Sequence, residues 1–150
     1  MPHIERTAHV GWDGNLARGA GTLDAASSGA FARLPFSLPS RVGEPGGKTS
    51  PEELLAAAHG GCLTMGLAGE LTAAGTPPGR LDVACTIVMD EVEGQGHQIV
   101  GSRVEIVARV DGVDEAALQS AVAQAHVGCP FSQLLERAGA SVAITARLAD

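Results

Sequence analysis

The chain has 150 residues, 45% of them hydrophobic and 18% charged, and its formal net charge is −7. That length and composition fit one globular domain, spanning residues 1–150, with a sizeable core, and they exclude a disordered chain. The acidic balance, with its few basic residues scattered, argues against nucleic acid or an anionic membrane as partner, since both select clustered Lys and Arg.

Aromatic residues make up only 3%, and there are 20 glycines. A core built from such small side chains must pack closely. No apolar run reaches the roughly 18 residues that a membrane span requires, so none is expected. The start, Met1 to Arg6, lacks the basic-then-apolar pattern of a secretory leader, and a cytoplasmic location is expected. In that compartment thiols are mostly reduced, and a disulfide is transient and catalytic. Three cysteines, an odd number, also argue against a disulfide scaffold.

Residues 3–12 alternate loosely and predict a first strand, closed by a turn at Asp13-Gly14-Asn15. Residues 15–24 predict the return strand, firmest at Thr22 and Leu23, and Ala30 to Phe36 a third short one. Pro35, Pro39, Gly43, Pro45, Gly46 and Gly47 then predict an extended loop, long enough to be functional and carrying Arg41.

A long helix follows, from about Pro51 to Ala74. Thr49 or Ser50 can cap it, Pro51 suits its first turn, and Glu52 and Glu53 suit the positive end of the dipole. Leu55, His59, Cys62 and Met65 recur at 3–4 spacing and are expected on one face. Gly60 and Gly61 each cost about 1 kcal/mol relative to Ala in a helix interior, so the pair implies close approach of another backbone or of a substrate. Residues 81–92 and 97–110 predict a long hairpin around Gly94-Gln95-Gly96. Asp114 caps a helix from about Glu115 to Ala125, Pro130 opens a further short helix that Gly139 ends, and Ser141 to Arg147 alternate as a last strand. This order of elements predicts an α+β fold.

A buried cysteine is most often only a small hydrophobe, and Cys85, in a β-branched strand, is read that way. Cys62 and Cys129 differ, because each follows a histidine by three residues and lies beside loop-to-helix structure, where a helix N-terminus lowers a thiol's pKa. The same spacing leaves open a zinc site of His59, Cys62, His126 and Cys129, although Pro130 and the glycine pair depart from usual zinc-ligand spacing. For the histidines taken separately, a satisfied core or interface role is the default.

Residues 49–65, TSPEELLAAAHGGCLTM, together with GCPFSQ at 128–133, resemble the OsmC/Ohr family of cysteine-based hydroperoxide reductases, and its osmotically inducible branch most. The resemblance extends through AHVGWDG at 8–14 and ARGAGT at 17–22, so it covers nearly the whole chain. It implies antiparallel sheets packed on a long central helix that carries the reactive cysteine, in an intertwined homodimer with both sites at the interface. It implies a thiol peroxidase acting in the stress response, with Cys62 the peroxidatic cysteine, Cys129 the resolving one, and an arginine held by Glu52. The arginine corresponds to Arg41 in one branch of the family and to Arg18 in the other; the proline-rich loop has the form of the first, which favours Arg41. Gly60, Gly61 and Leu63 depart from the family's usual Ala and Phe at these places.

These roles fit the chemistry. A thiolate cleaves a peroxide O–O bond, and at its unperturbed pKa Cys62 is mostly protonated at neutral pH. Arg41 is always charged and can pair with the thiolate, and Glu52 can hold the guanidinium bidentately. Attack gives a sulfenic acid that Cys129 converts to a disulfide, and an external dithiol, in this family a protein-bound lipoyl group, must reduce it. Leu55, Met65, Phe131 and Leu134 form an apolar setting that favours organic hydroperoxides over hydrogen peroxide. No zinc, haem or other cofactor is implied.

Overall fold

The computed structural model describes residues 3–150; Met1 and Pro2, the head of the N-terminal stretch read above, lie outside the described residues. The chain forms two compact units, one through Pro51 and one over Glu52–Asp150.

The first unit is an antiparallel three-stranded sheet of β1 (His9–Asp13), β2 (Ala20–Asp24) and β3 (Leu34–Phe36), in that order. Gly14, at φ +90°, makes the turn after β1 as the sequence predicts. The first strand starts only at His9, later than its loose alternation suggests. Trp12 and Phe36 pack with ring centroids 5.5 Å apart. Gly21 lies directly under the Phe36 ring, where a Cβ would overlap ring atoms, so no larger residue fits.

Beyond β3 the structure departs from the expected extended loop. Residues Leu38–Val42 form a short helix, α1. Its cause is local: the Ser37 side chain accepts from the Ser40 backbone N–H, and Pro39 sits in the first turn, where its missing N–H costs nothing. Arg41 falls in the last turn of this helix and is exposed.

The second unit is built on α2 (Pro51–Ala73). Its sheet contains β4 (Arg80–Val92), β5 (Gly96–Arg109) and β6 (Ser141–Leu148) in that order, and its remaining helices are α3 (Glu115–Gly128) and α4 (Pro130–Arg137). β4 and β5 are the expected antiparallel hairpin, with a bulge at Val88/Met89. β6 instead runs parallel to β5, so this sheet is not wholly antiparallel. The reason is connectivity, because the α3–α4 segment crosses over between the two strands and returns the chain in the same direction.

The core of this unit is one cluster. Leu63, Leu67 and Leu71 of α2 meet Val104, Ile106 and Ala108 of β5 and Leu118, Val122 and Ala125 of α3. On β5 the buried set is Ser102, Val104, Ile106 and Ala108, the alternate residues that face one side of a strand. By length and composition alone α2 is apolar enough to cross a membrane, which corrects the expectation that no such run exists. Its Leu63, Leu67 and Leu71 serve the core of the unit.

The buried stripe of α2 is His59, Leu63, Leu67 and Leu71, with Gly60 beside it. Met65, expected on the face of His59 and Cys62, is 73% exposed. Two stripes satisfy a 3–4 spacing here, and the one with leucine at three of its four steps goes inward because it removes more apolar surface from water.

The glycine pair divides in two. A Cβ on Gly60 would lie 3.1 Å from the Cys85 Cβ on β4, so the close neighbour there is the unit's own sheet. A Cβ on Gly61 would meet nothing within 4 Å. Gly61→Ala is therefore expected to stabilise the chain by about 0.5–1 kcal/mol through helix propensity, read from a urea melt, whereas Gly60→Ala gains nothing net. A loss of stability in Gly61→Ala would mean that another surface, such as a second chain, lies against this position.

Candidate active site

Cys62 lies midway along α2, half-buried and packed against the core cluster. Cys129 is 3% exposed and occupies the junction of α3 and α4. It is the N-cap of α4, its sulfur accepting from the Ser132 backbone N–H at 3.5 Å, and Pro130 follows in the first turn. Far apart in the sequence, the two thiols lie close enough for each to shift the other's titration.

The environments of the two sulfurs push them apart. Burial raises the Cys62 thiol above its ordinary value, and its hydrogen bond and charge interaction with Cys129 raise it further, against a hydrogen bond from the Phe131 backbone N–H. Burial also acts to raise Cys129. Hydrogen bonds from the Ser132 backbone and hydroxyl, from Cys62 and from the Phe131 backbone outweigh it, and the net direction is down. The two thiols therefore titrate as a coupled pair. The N-terminus of α4, through the Ser132 and Phe131 amides, is what favours the anion.

Below this pair lies a buried polar chain. His59 is 0% exposed, with Nδ1 2.8 Å from Ser102 Oγ and Nε2 2.8 Å from Ser132 Oγ. Burial, and secondarily the nearby His126, pushes the pKa of His59 down, so the ring is neutral. Cys85, expected as an isolated hydrophobe, ends the chain: its sulfur is 3.5 Å from Ser102 Oγ and 3.8 Å from His59 Nδ1. Serine is a common surface residue, so nothing local marked Ser102 or Ser132. The one usable signal was the spacing Cys129-Pro130-Phe131-Ser132, an N-cap and the N3 position it binds.

A two-His, two-Cys zinc site is not assembled. Both ring nitrogens of His59 are engaged by serine hydroxyls, and Nε2 of His126 turns to Glu136 Oε1 at 3.1 Å. Among the described residues, no three His, Cys, Asp or Glu side chains are grouped to hold a metal ion.

The remaining expected site residues are placed as follows. Glu52 is half-buried in the first turn of α2, while Glu53 is exposed and lines an open groove of about 710 Å³ between α2 and β4 with Gly60, Gly61, Met65 and Cys85. Glu52 precedes Cys62 by ten residues of helix, a rise of about 15 Å, so its carboxylate cannot touch the thiol and could act on it only through a long cation. Both candidate arginines belong to the first unit, Arg41 in α1 and Arg18 in the β1–β2 turn, where its backbone N–H donates to Asn15 Oδ1 at 2.9 Å. Leu134 is 59% exposed on α4, and Phe131 is half-buried against the core.

A family model described as OsmC-like protein matches residues 43–145. The chain is similar to peroxiredoxin OsmC of Escherichia coli (strain K12), 33% identical over 134 residues that span 89% of this chain and 91% of that protein. It is similar to the organic hydroperoxide resistance protein of Xanthomonas axonopodis pv. citri (strain 306), 32% identical over 132 residues and 84% of each. Among solved structures, the organic hydroperoxide resistance protein OhrB of Bacillus subtilis aligns with a TM-score of 0.70 at 23% identity, over 94% of this chain and 98% of that one. An OsmC-like protein of unknown function from Vibrio cholerae aligns with a TM-score of 0.77 at 14% identity, over 97% and 100%. At these identities the structural likeness speaks for the fold.

Proposed function

The chain belongs to the OsmC-like family, and from that premise we propose that it is a thiol-dependent peroxidase that reduces organic hydroperoxides through Cys62 and Cys129. A peroxide-related redox role accords with the relatives named peroxiredoxin OsmC and organic hydroperoxide resistance protein. The observation that carries the reading is the approach of two thiols so distant in sequence, at the N-terminus of α4.

Accessibility divides the roles. Cys129 is almost fully buried, whereas Cys62 is the more exposed sulfur and is the one a peroxide can reach. The attacking form of the pair carries one negative charge on Cys62 and the proton on Cys129. As the Cys62 thiolate attacks, an S–O bond forms and the O–O bond breaks. The departing alkoxide takes the proton from Cys129 and leaves as alcohol. Cys129 is then a thiolate facing a sulfenic acid; it attacks the Cys62 sulfur and expels hydroxide. One thiol, one thiolate and one hydroperoxide thus give a disulfide, an alcohol and hydroxide. A dithiol reductant, of the lipoyl type, restores both thiols by exchange and is itself oxidised to a disulfide.

The Cys62 thiol is raised within its own unit, so this reading needs a cation to draw the charge onto it as the peroxide binds. We assign that task to Arg41, with Glu52 holding the guanidinium. The exposed apolar side chains Met65 and Leu134 suit an alkyl substrate and a homodimer interface. A cycle that depends on a reducing dithiol belongs in the cytoplasm.

The test is mass spectrometry of the reduced protein after one equivalent of an organic hydroperoxide. The expected product is a single Cys62–Cys129 disulfide with Cys85 still reduced. Unchanged thiols, or a disulfide through Cys85, would overturn the assignment.

A further inference from the structure

A single residue joins α3 to α4. Cys129 is at once the C-cap of the first helix and the N-cap of the second, with φ −81° and ψ 113°. The two helices therefore turn on the backbone of Cys129, and the way they meet sets where its sulfur points. Two side-chain contacts span this junction. Gln133 Nε2 donates to the Val127 carbonyl at 2.8 Å, one of the last carbonyls of α3, which the helix itself leaves unpaired. His126, in the last turn of α3, meets Glu136, in the last turn of α4, with Nε2 3.1 Å from Oε1. A carboxylate only accepts, so Nε2 donates. The other ring nitrogen, Nδ1, is buried and has no hydrogen-bond partner among the described residues, so Glu136 is the one polar anchor of the His126 side chain.

We propose that His126 and Glu136 are positioning residues: their contact clasps α3 to α4 and holds Cys129, the residue on which the two helices turn, in the orientation that brings its sulfur to Cys62. Cys129 belongs to the core cluster against which Cys62 packs, so a small change at the junction decides whether the sulfurs meet. The first turn of α4 is held separately, by Ser132 Oγ 2.8 Å from His59 Nε2 and by the Ser132 N–H on the Cys129 sulfur. The clasp acts on the last turn, at the far end of the helix. With side chains 26% and 49% exposed, the pair is only partly shielded from water, and its direct contribution is modest. Its effect on the sulfur is one of freedom. A released junction spreads Cys129 over more orientations and lowers its effective concentration at Cys62. A disulfide fixes the same junction, so clasp and disulfide favour each other by the same factor. The consequence for the peroxide cycle rests on the peroxidase reading; the effect of the clasp on the Cys62–Cys129 disulfide does not.

The experiment is equilibration of the whole chain in mixtures of oxidised and reduced dithiothreitol at fixed pH, quenched with acid and mapped by peptide mass spectrometry. The exchange forms the Cys62–Cys129 disulfide and opens that of oxidised dithiothreitol to two thiols. Its equilibrium constant therefore reads the effective concentration of one sulfur at the other and needs no peroxide. Glu136→Ala and His126→Ala are each expected to lower that constant by roughly fivefold, and the double variant by no more than either alone. His126→Gln, whose amide donates to Glu136, is expected to recover most of the loss, a pattern that a general loss of stability would not give. Circular dichroism melts establish that each variant is folded, and Glu136→Ala, at the more exposed partner, is the decisive variant if His126→Ala does not fold. An unchanged constant in folded Glu136→Ala, or losses that add in the double variant, overturns the proposal and leaves the peroxidase reading standing. A lowered constant in Glu136→Ala, alongside a wild-type chain that forms no disulfide with an organic hydroperoxide, supports the proposal and overturns the peroxidase reading. A wild-type chain that forms no Cys62–Cys129 disulfide even in oxidised dithiothreitol alone overturns both.

Discussion

Replacing Cys62 by serine is expected to abolish turnover of an organic hydroperoxide in the presence of a dithiol. A serine hydroxyl is almost never ionised near neutral pH and cannot take up the oxygen that a sulfur accepts as a sulfenic acid. Loss of a nucleophile in a covalent cycle typically costs on the order of 10³-fold or more. The variant isolates chemistry from folding, since Cys62 is only half-buried and serine is nearly isosteric with it. It leaves Cys129 and its cap on α4 in place. Peroxide consumption is followed directly, with a melt confirming an intact fold. Activity equal to wild type would transfer the chemistry away from Cys62.

Much of the framework behind this expectation is legible in the sequence. The β4–β5 hairpin follows from long β-branched alternation, α3 from the Asp114 cap, whose carboxylate accepts from the Ala117 backbone N–H at 2.8 Å, and α4 from Pro130 after Cys129. The cysteine motifs carried the family. Other features escaped for definite reasons. Periodicity says which side of β6 faces inward but not which way the strand runs, so its parallel pairing was invisible. Proline and glycine around Pro39 read as extended chain, and only the Ser37 cap turned that segment into α1. Leu55-His59-Cys62-Met65 and His59-Leu63-Leu67-Leu71 are both valid helical stripes, and burial chose the second. Ser102 and Ser132 lie 43 and 73 residues from His59, separations that no local pattern encodes.

Cys129→Ser is expected to separate the first oxidation from turnover. The substitution keeps the fold, because serine is among the preferred N-cap residues and its oxygen can accept from the Ser132 backbone N–H as the sulfur does. It removes the neighbour whose hydrogen bond and charge push the Cys62 thiol up, so the thiolate fraction at Cys62 does not fall. The first equivalent of hydroperoxide should therefore still be consumed, with water supplying the proton to the alkoxide. What is lost is the second step, because a serine hydroxyl does not attack a sulfenic acid. The sulfenic acid should accumulate on Cys62, where dimedone traps it, and excess peroxide should carry it on to sulfinic and sulfonic acid. Dithiol-dependent turnover should fall by about tenfold or more, since reduction must then proceed through a mixed disulfide that no resolving thiol prepares. Intact mass spectrometry after one and after ten equivalents of peroxide reads the outcome. Sustained turnover with no overoxidised Cys62 would show that another group resolves the sulfenic acid, and Cys85, at the far end of the buried chain, would be the first to test.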